Sequence, residues 1–180
     1  IAPTFWATID GSGGSLTVNP NNNTLVTLTV PNLAVAGPTN FSIAIGPLPG
    51  SANPNYVTIP RSYYFGPSGI SFGSKFVTAV YNYSDPEIIG ADERNLGVYV
   101  WDGLLNSWIF QTGRVTVSQN RLTADMSHFS LYGVRAPKVN LEFLTPEGTV
   151  TGANIPVSFN MTSFDIDGNI IPVPPIVEGL

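Results

Sequence analysis

Glycines and prolines, 18 and 16 of them, cut this chain into short runs, and inside the runs apolar and polar residues alternate. Proline breaks a helix interior and glycine weakens one, while a period of two is the signature of a strand with one buried face. Residues 15–18, 24–30, 41–45, 75–83, 96–101, 107–110, 114–117, 121–126 and 128–134 all read this way. Residues 56–59 and 62–65 read as two strands parted by Pro60, because proline cannot donate to a ladder. More than ten short strands with turns every eight to twelve residues predict an all-β chain, an antiparallel immunoglobulin-like β-sandwich. No segment has a sustained helical period, although a short helical turn within residues 84–95 fits the local sequence.

The N-terminus alternates too. Ile1, Pro3, Phe5, Ala7 and Ile9 fall on one face, and residues 10–15 (Asp-Gly-Ser-Gly-Gly-Ser) have the composition of a flexible linker. An apolar strand on such a tether is suited to docking away from its sequence neighbours, and equally to being an ordinary first strand followed by a turn. The expected organisation is a strand at 1–9, a linker at 10–15 and a sandwich at 16–180, with a possible subdomain from 137. Residues 139–144, 156–161 and a hairpin about Asp167 and Gly168 supply the last strands, before Pro172, Pro174 and Pro175.

A net charge of −5, with seven scattered basic residues, argues against nucleic acid as a partner. No run approaches the roughly 18 apolar residues of a membrane span. With no cysteine and one histidine the chain offers neither a disulfide framework nor a zinc site, and no cofactor is expected. Charged residues are only 11% of the chain, so hydration must come from elsewhere. Four Asn-x-Ser/Thr sequons, at Asn22, Asn40, Asn82 and Asn160, would supply it as N-linked glycans. These sequons, and a start at Ile1, lead us to expect a processed, glycosylated extracellular protein.

Catalytic chemistry is hard to find in the sequence. Asp125, Ser127, His128 and Ser130 contain the residue types of a Ser-His-Asp triad, but neighbours on one strand cannot converge as a triad requires. Residues 165–169 begin like a calcium loop, yet position 176 is Ile where the bidentate Glu belongs. Asp85, Glu87, Asp92 and Glu93 read as a solvated acidic loop. Trp6, Trp101, Trp108, Tyr63 and Tyr64 are the residues for a sugar-stacking platform. Core packing is the simpler role for Trp101 and Trp108, and Trp6 faces away from Phe5. No metal ligands or catalytic residues are assigned.

The segment from Phe76 to Val134, with Tyr81-Asn82-Tyr83, Leu96-Gly97-Val98-Tyr99-Val100-Trp101-Asp102, Ser107-Trp108 and His128-Phe129-Ser130, resembles the closing half of ZU5-like surface β-modules. The whole plan (apolar N-terminal strand, tether, cysteine-free sandwich, sequons) resembles a subunit of the archaeal thread filament, a pilus joined by donor-strand complementation. That resemblance implies a non-enzymatic subunit whose residues Ile1, Pro3, Phe5, Ala7 and Ile9 insert into the groove of an identical neighbour, giving a head-to-tail cell-surface fibre. The alternative is a self-contained surface or adhesin β-module that binds carbohydrate or a protein partner, with residues 1–9 in its own sheet. A β-sandwich glycosidase is a third option, and the proline-rich tail, residues 170–177, a second place for a donor strand.

Overall fold

The computed structural model of the chain describes residues 4–19, 25–50, 53–138, 140–144, 158–164 and 170–172. Its strands, in chain order, are β1 (Thr4–Ile9), β2 (Gly14–Val18), β3 (Val26–Val30), β4 (Thr39–Gly46), β5 (Tyr56–Gly66), β6 (Val77–Asn82), β7 (Gly97–Asp102), β8 (Ser107–Thr112), β9 (Arg114–Thr116), β10 (Arg121–Met126), β11 (Leu131–Pro137), β12 (Asn140–Leu144), β13 (Ser158–Phe164) and β14 (Ile170–Pro172). The fold is all-β: two antiparallel sheets, ordered β1-β4-β5-β11-β7-β8 and β2-β3-β6-β10-β9, pack as a sandwich. β12-β13-β14 form a third, separate antiparallel sheet within the stretch read as a possible subdomain, with the proline-bearing β14 at its edge. No helix among the described residues is long and apolar enough to cross a membrane.

Alternation does the work of closure. Val26, Leu28 and Val30 from β3, Val77, Ala79 and Tyr81 from β6, and Leu122, Ala124 and Met126 from β10 point inward from one sheet. Phe41, Ile43 and Ile45 from β4 and Tyr132, Val134 and Ala136 from β11 meet them from the other. Each large apolar side chain buried this way contributes about 1.5–3 kcal/mol. Phe41, Phe65, Phe72 and Phe129 add an aromatic cluster, with Phe72 and Phe129 edge to face at 5.0 Å.

Pro60 does not divide two strands, as expected, but lies within the eleven-residue β5. Its neighbours explain this. β4 runs out at Gly46, opposite Ser62, and on the other side the register with β11 shifts between Gly133 and Arg135. Pro60 thus sits at a bulge, where no ladder bond is asked of it. Residues 84–95 hold two short 3₁₀ turns, Asp85–Ile88 and Glu93–Asn95, as the local sequence allowed.

β1 pairs antiparallel with its own β4, from Thr4 opposite Ala44 to Ile9 opposite Thr39, at the edge of the six-stranded sheet. Within the single chain β1 thus takes the edge of its own β4, the arrangement expected of a self-contained module; the expected insertion into a neighbour's groove concerns a second copy. Ile9 is buried, Phe5 and Ala7 pack half-buried on the core, and Trp6 points outward with 70% of its surface exposed, which matches the alternation. Ile1 and Pro3 lie outside the described residues. Where a loose linker was expected, residues 10–13 make a hydrogen-bonded turn. The Gly13 amide donates to the Asp10 carbonyl (3.0 Å), and the Ser12 amide and hydroxyl both donate to Asp10 Oδ1 (2.9 and 2.6 Å). Gly13, at φ +82°, closes the turn, and β2 begins at the next residue.

Candidate functional site

Because Tyr132, Val134 and Ala136 face the core, Gly133 and Arg135 face the opposite, outer side of the sheet. The same rule applied to Val98 and Val100 puts Gly97, Tyr99 and Trp101 on that outer side. Pairing across the sheet then assembles a group no single segment contains: Trp101 opposite Trp108, Tyr99 opposite Phe110 and beside Gly133, and Arg135 between Thr58 and Gly97. The outer face of an antiparallel sheet is ordinarily polar and solvated. Here it carries a cleft of about 380 Å³ walled by Tyr56, Tyr99, Trp101, Trp108 and Phe110, floored by Arg135 and rimmed by Asn53, Asn106 and Ser107.

Glycines make room for the rings. A Cβ at Gly133 would lie 3.0 Å from the six-membered ring of Trp108, and one at Gly97 would lie 2.6 Å from Phe110. Gly50 seats Trp101 in the same way, and its φ of +74° asks for glycine independently. The rings then lock one another at edge-to-face angles: Trp101 and Trp108 at 5.3 Å, Tyr99 and Phe110 at 5.5 Å, Tyr56 and Tyr99 at 5.8 Å. Trp101 and Trp108 remain half-buried, so their expected core role is corrected: they wall a cleft.

Arg135 is 5% exposed, yet no acid pairs with it among the described residues. Its Nε donates to Thr58 Oγ1 at 3.0 Å. Its guanidinium lies 4.7 Å from the Tyr56 ring centre, 5.9 Å from that of Tyr99 and 5.8 Å from that of Trp108. Burial pulls its pKa below the usual arginine range, with the phenols of Tyr56 and Tyr99 opposing that shift. An arginine stays charged regardless, so the cation is held mainly by aromatic faces, a contact worth about 2 kcal/mol when desolvated.

The other candidates fare differently. Asp125, Ser127 and His128 line a smaller cleft of about 200 Å³ with Tyr132. Ser127 Oγ is 3.3 Å from His128 Nδ1, but Asp125 is held by Arg114 (2.7 Å) and Thr78 (3.1 Å), not by the imidazole. Arg114 keeps the Asp125 carboxyl below its ordinary pKa. The acidic residues of 84–95 form no open loop: Glu87 pairs with Arg61 and accepts from the Ser84 amide and hydroxyl, Asp92 caps Arg94, Glu93 accepts from Tyr83, and Asp85 accepts from Asn120. Tyr63 is in the core and Tyr64 faces out. Asn40 is exposed on β4, its Oδ1 accepting from Thr8 at 2.7 Å, and Asn82 is half-buried at the end of β6. Asn22 and residues 165–169 lie outside the described residues, as does the side chain of Asn160.

Compared with known proteins, the chain matches no family and has no significant match among curated sequences. Arg135 was missed in the sequence because nothing local marks it. The usable signal was parity: counting from the apolar positions of residues 96–100 and 132–136 puts Tyr99, Trp101 and Arg135 together on an outward face.

Proposed function

We propose that the chain is a self-contained recognition module of the cell surface that holds a saccharide in the aromatic cleft over β5, β11, β7 and β8. The observation that carries this reading is the pair Trp101 and Trp108, wedged edge to face on the outer side of the sheet, away from the sandwich core. Ring faces stack on the apolar faces of pyranoses, while Asn53, Asn106 and Ser107 supply hydrogen-bonding groups at the rim. In this reading β1 completes its own sheet, Asn40 and Asn82 are open to N-glycosylation, and no catalytic chemistry is required. A screen against immobilised glycans, followed by titration with tryptophan fluorescence as readout, tests it. Saturable binding that Trp108→Ala abolishes, with the melting temperature retained, supports the reading; no binding across the panel overturns it.

A second reading, the head-to-tail fibre subunit built by strand donation, is favoured by one observation. β1 is an edge strand with a single ladder partner and an exposed tryptophan on its outer face. Exchanging an identical strand between copies costs little, since the same contacts re-form. Chromatography and electron microscopy of the chain with and without residues 1–9 separate the two readings. Fibres from the full chain alone support donation, and equally stable monomers refute it.

A further inference from the structure

The cleft floor says more about the ligand than its walls do. Arg135 sits at the bottom, nearly fully buried, with Thr58 as its one hydrogen-bond acceptor among the described residues. A guanidinium has five N–H donors, and a buried charge lacking an anion is costly to keep. Aromatic faces offset part of that cost but accept no hydrogen bonds. Among the described residues the Nη groups therefore have no acceptor, and they lie in a cleft lined by flat rings. A neutral sugar could answer those donors with hydroxyl oxygens but not the buried charge; a planar carboxylate meets both, as a two-point fork, the strongest kind of arginine contact.

We propose that the ligand is an acidic saccharide, a uronate whose carboxylate docks on Arg135 while its ring packs against Trp101 and Trp108. This rests on the saccharide reading above and narrows it. One feature favours a carboxylate over a sulfate: Tyr56 covers one face of the guanidinium at 4.7 Å, which suits a flat, in-plane partner. The chain's net charge of −5 gives any polyanion no general attraction, so recognition must be local.

The test is calorimetric titration of the whole chain with four probes: a galacturonic acid trimer, its methyl ester, a galactose trimer and a sulfated galactose trimer. The acid should bind at least tenfold more tightly than the ester or the neutral trimer, because only the carboxylate forks to Arg135. Arg135→Lys keeps the charge and the stem but loses the fork. It should erase that preference, bringing the acid's affinity down to that of the ester measured on the same variant, with near-ultraviolet circular dichroism checking the fold. Equal affinity for acid, ester and neutral trimer overturns the carboxylate and leaves the saccharide reading standing. A sulfated trimer that binds best also overturns it, and so does no binding by any probe, the saccharide reading itself then resting on the glycan screen.

Discussion

Tyr63 and Tyr81 meet in the middle of the sandwich with ring centres 5.2 Å apart, and neither hydroxyl has a hydrogen-bond partner among the described residues. Tyr81→Phe removes one hydroxyl and keeps the ring. An unpaired buried hydroxyl costs about 1–3 kcal/mol, so the variant should be more stable at neutral pH by ~1 kcal/mol. In a chain of this length that raises Tm by about 2–4 °C.

Raising the pH should widen the gap. Burial holds the Tyr81 phenol well above its ordinary value of 10.0, pushes Tyr63 up as well, and pushes Tyr132 up to about 12. Above pH 10 the unfolded chain releases these protons while the folded chain keeps them. The unfolded state then binds fewer protons, and stability falls as pH rises, by about 1.4 kcal/mol per pH unit for each such tyrosine. Tyr81→Phe deletes one of these contributions, so its advantage grows from ~1 kcal/mol at neutral pH to about 2.4 kcal/mol at pH 11. Urea unfolding at a series of alkaline pH values, with tyrosinate absorbance in parallel, measures both numbers. A variant less stable than the parent at neutral pH means the hydroxyl is paired; an unchanged alkaline slope means Tyr81 titrates as an exposed phenol. Either result refutes the reasoning.

Glu87→Gln should cost about 3 kcal/mol in urea unfolding, because it leaves Arg61 without its anion where both side chains are some 85% covered. A loss under ~0.5 kcal/mol would show the pair to be effectively exposed. Gly50→Ala, at φ +74° and with a Cβ 2.6 Å from Trp101 Cη2, should displace that ring, weaken saccharide binding tenfold or more and change the near-ultraviolet circular dichroism; unchanged binding would take Trp101 out of the site. Asp125→Asn should cost under ~1 kcal/mol, since Arg114 is largely exposed. Because Arg114 lowers the Asp125 pKa, that contribution is present above the ordinary carboxyl value of 3.8 and lost as pH falls through the lowered one. Parent and variant should therefore converge in acid, and a gap that persists there would argue against the pairing.

Strand positions were legible in the sequence because alternation is local: a run such as residues 24–30 shows its buried face without reference to any partner. Pro60 was misread because its tolerance depends on where β4 stops and where β11 shifts register, facts that belong to other strands. The cleft failed to show for the same reason. Trp101 and Trp108 look like core residues until pairing sets them on the outer face, and the glycines that seat the rings lie as far apart as Gly50 and Gly133. An arginine at 135 has no meaning until Thr58, Tyr56 and Tyr99 are drawn in from β5 and β7. The acidic residues of 84–95 looked solvated because Arg61 and Asn120, partners of Glu87 and Asp85, are distant in sequence.

Whether β1 ever leaves its own sheet turns on the corner that follows it. In cis or in trans β1 meets the same β4 edge and buries the same Phe5, Ala7 and Ile9, so ladder and burial cancel between the two forms. What remains is the turn at residues 10–13 and the effective concentration of a tethered strand, on the order of millimolar for a short connection. At micromolar protein the cis form then wins by roughly a thousandfold, about 4 kcal/mol. Gly13→Ala attacks the turn alone. At φ +82° a non-glycine residue costs about 1–2 kcal/mol, and a Cβ there would lie 2.7 Å from the Val30 carbonyl oxygen, so the closed corner is penalised further. The extended linker of an exchanged pair carries no such penalty. The parent should therefore run as a monomer at micromolar concentration, while Gly13→Ala shifts toward exchanged oligomers that grow with concentration in light scattering and dissolve when residues 1–9 are removed. A Gly13→Ala protein that is less stable but still monomeric at millimolar concentration would mean that the cost falls on the fold as a whole, and that β1 belongs to its own sheet and to no other.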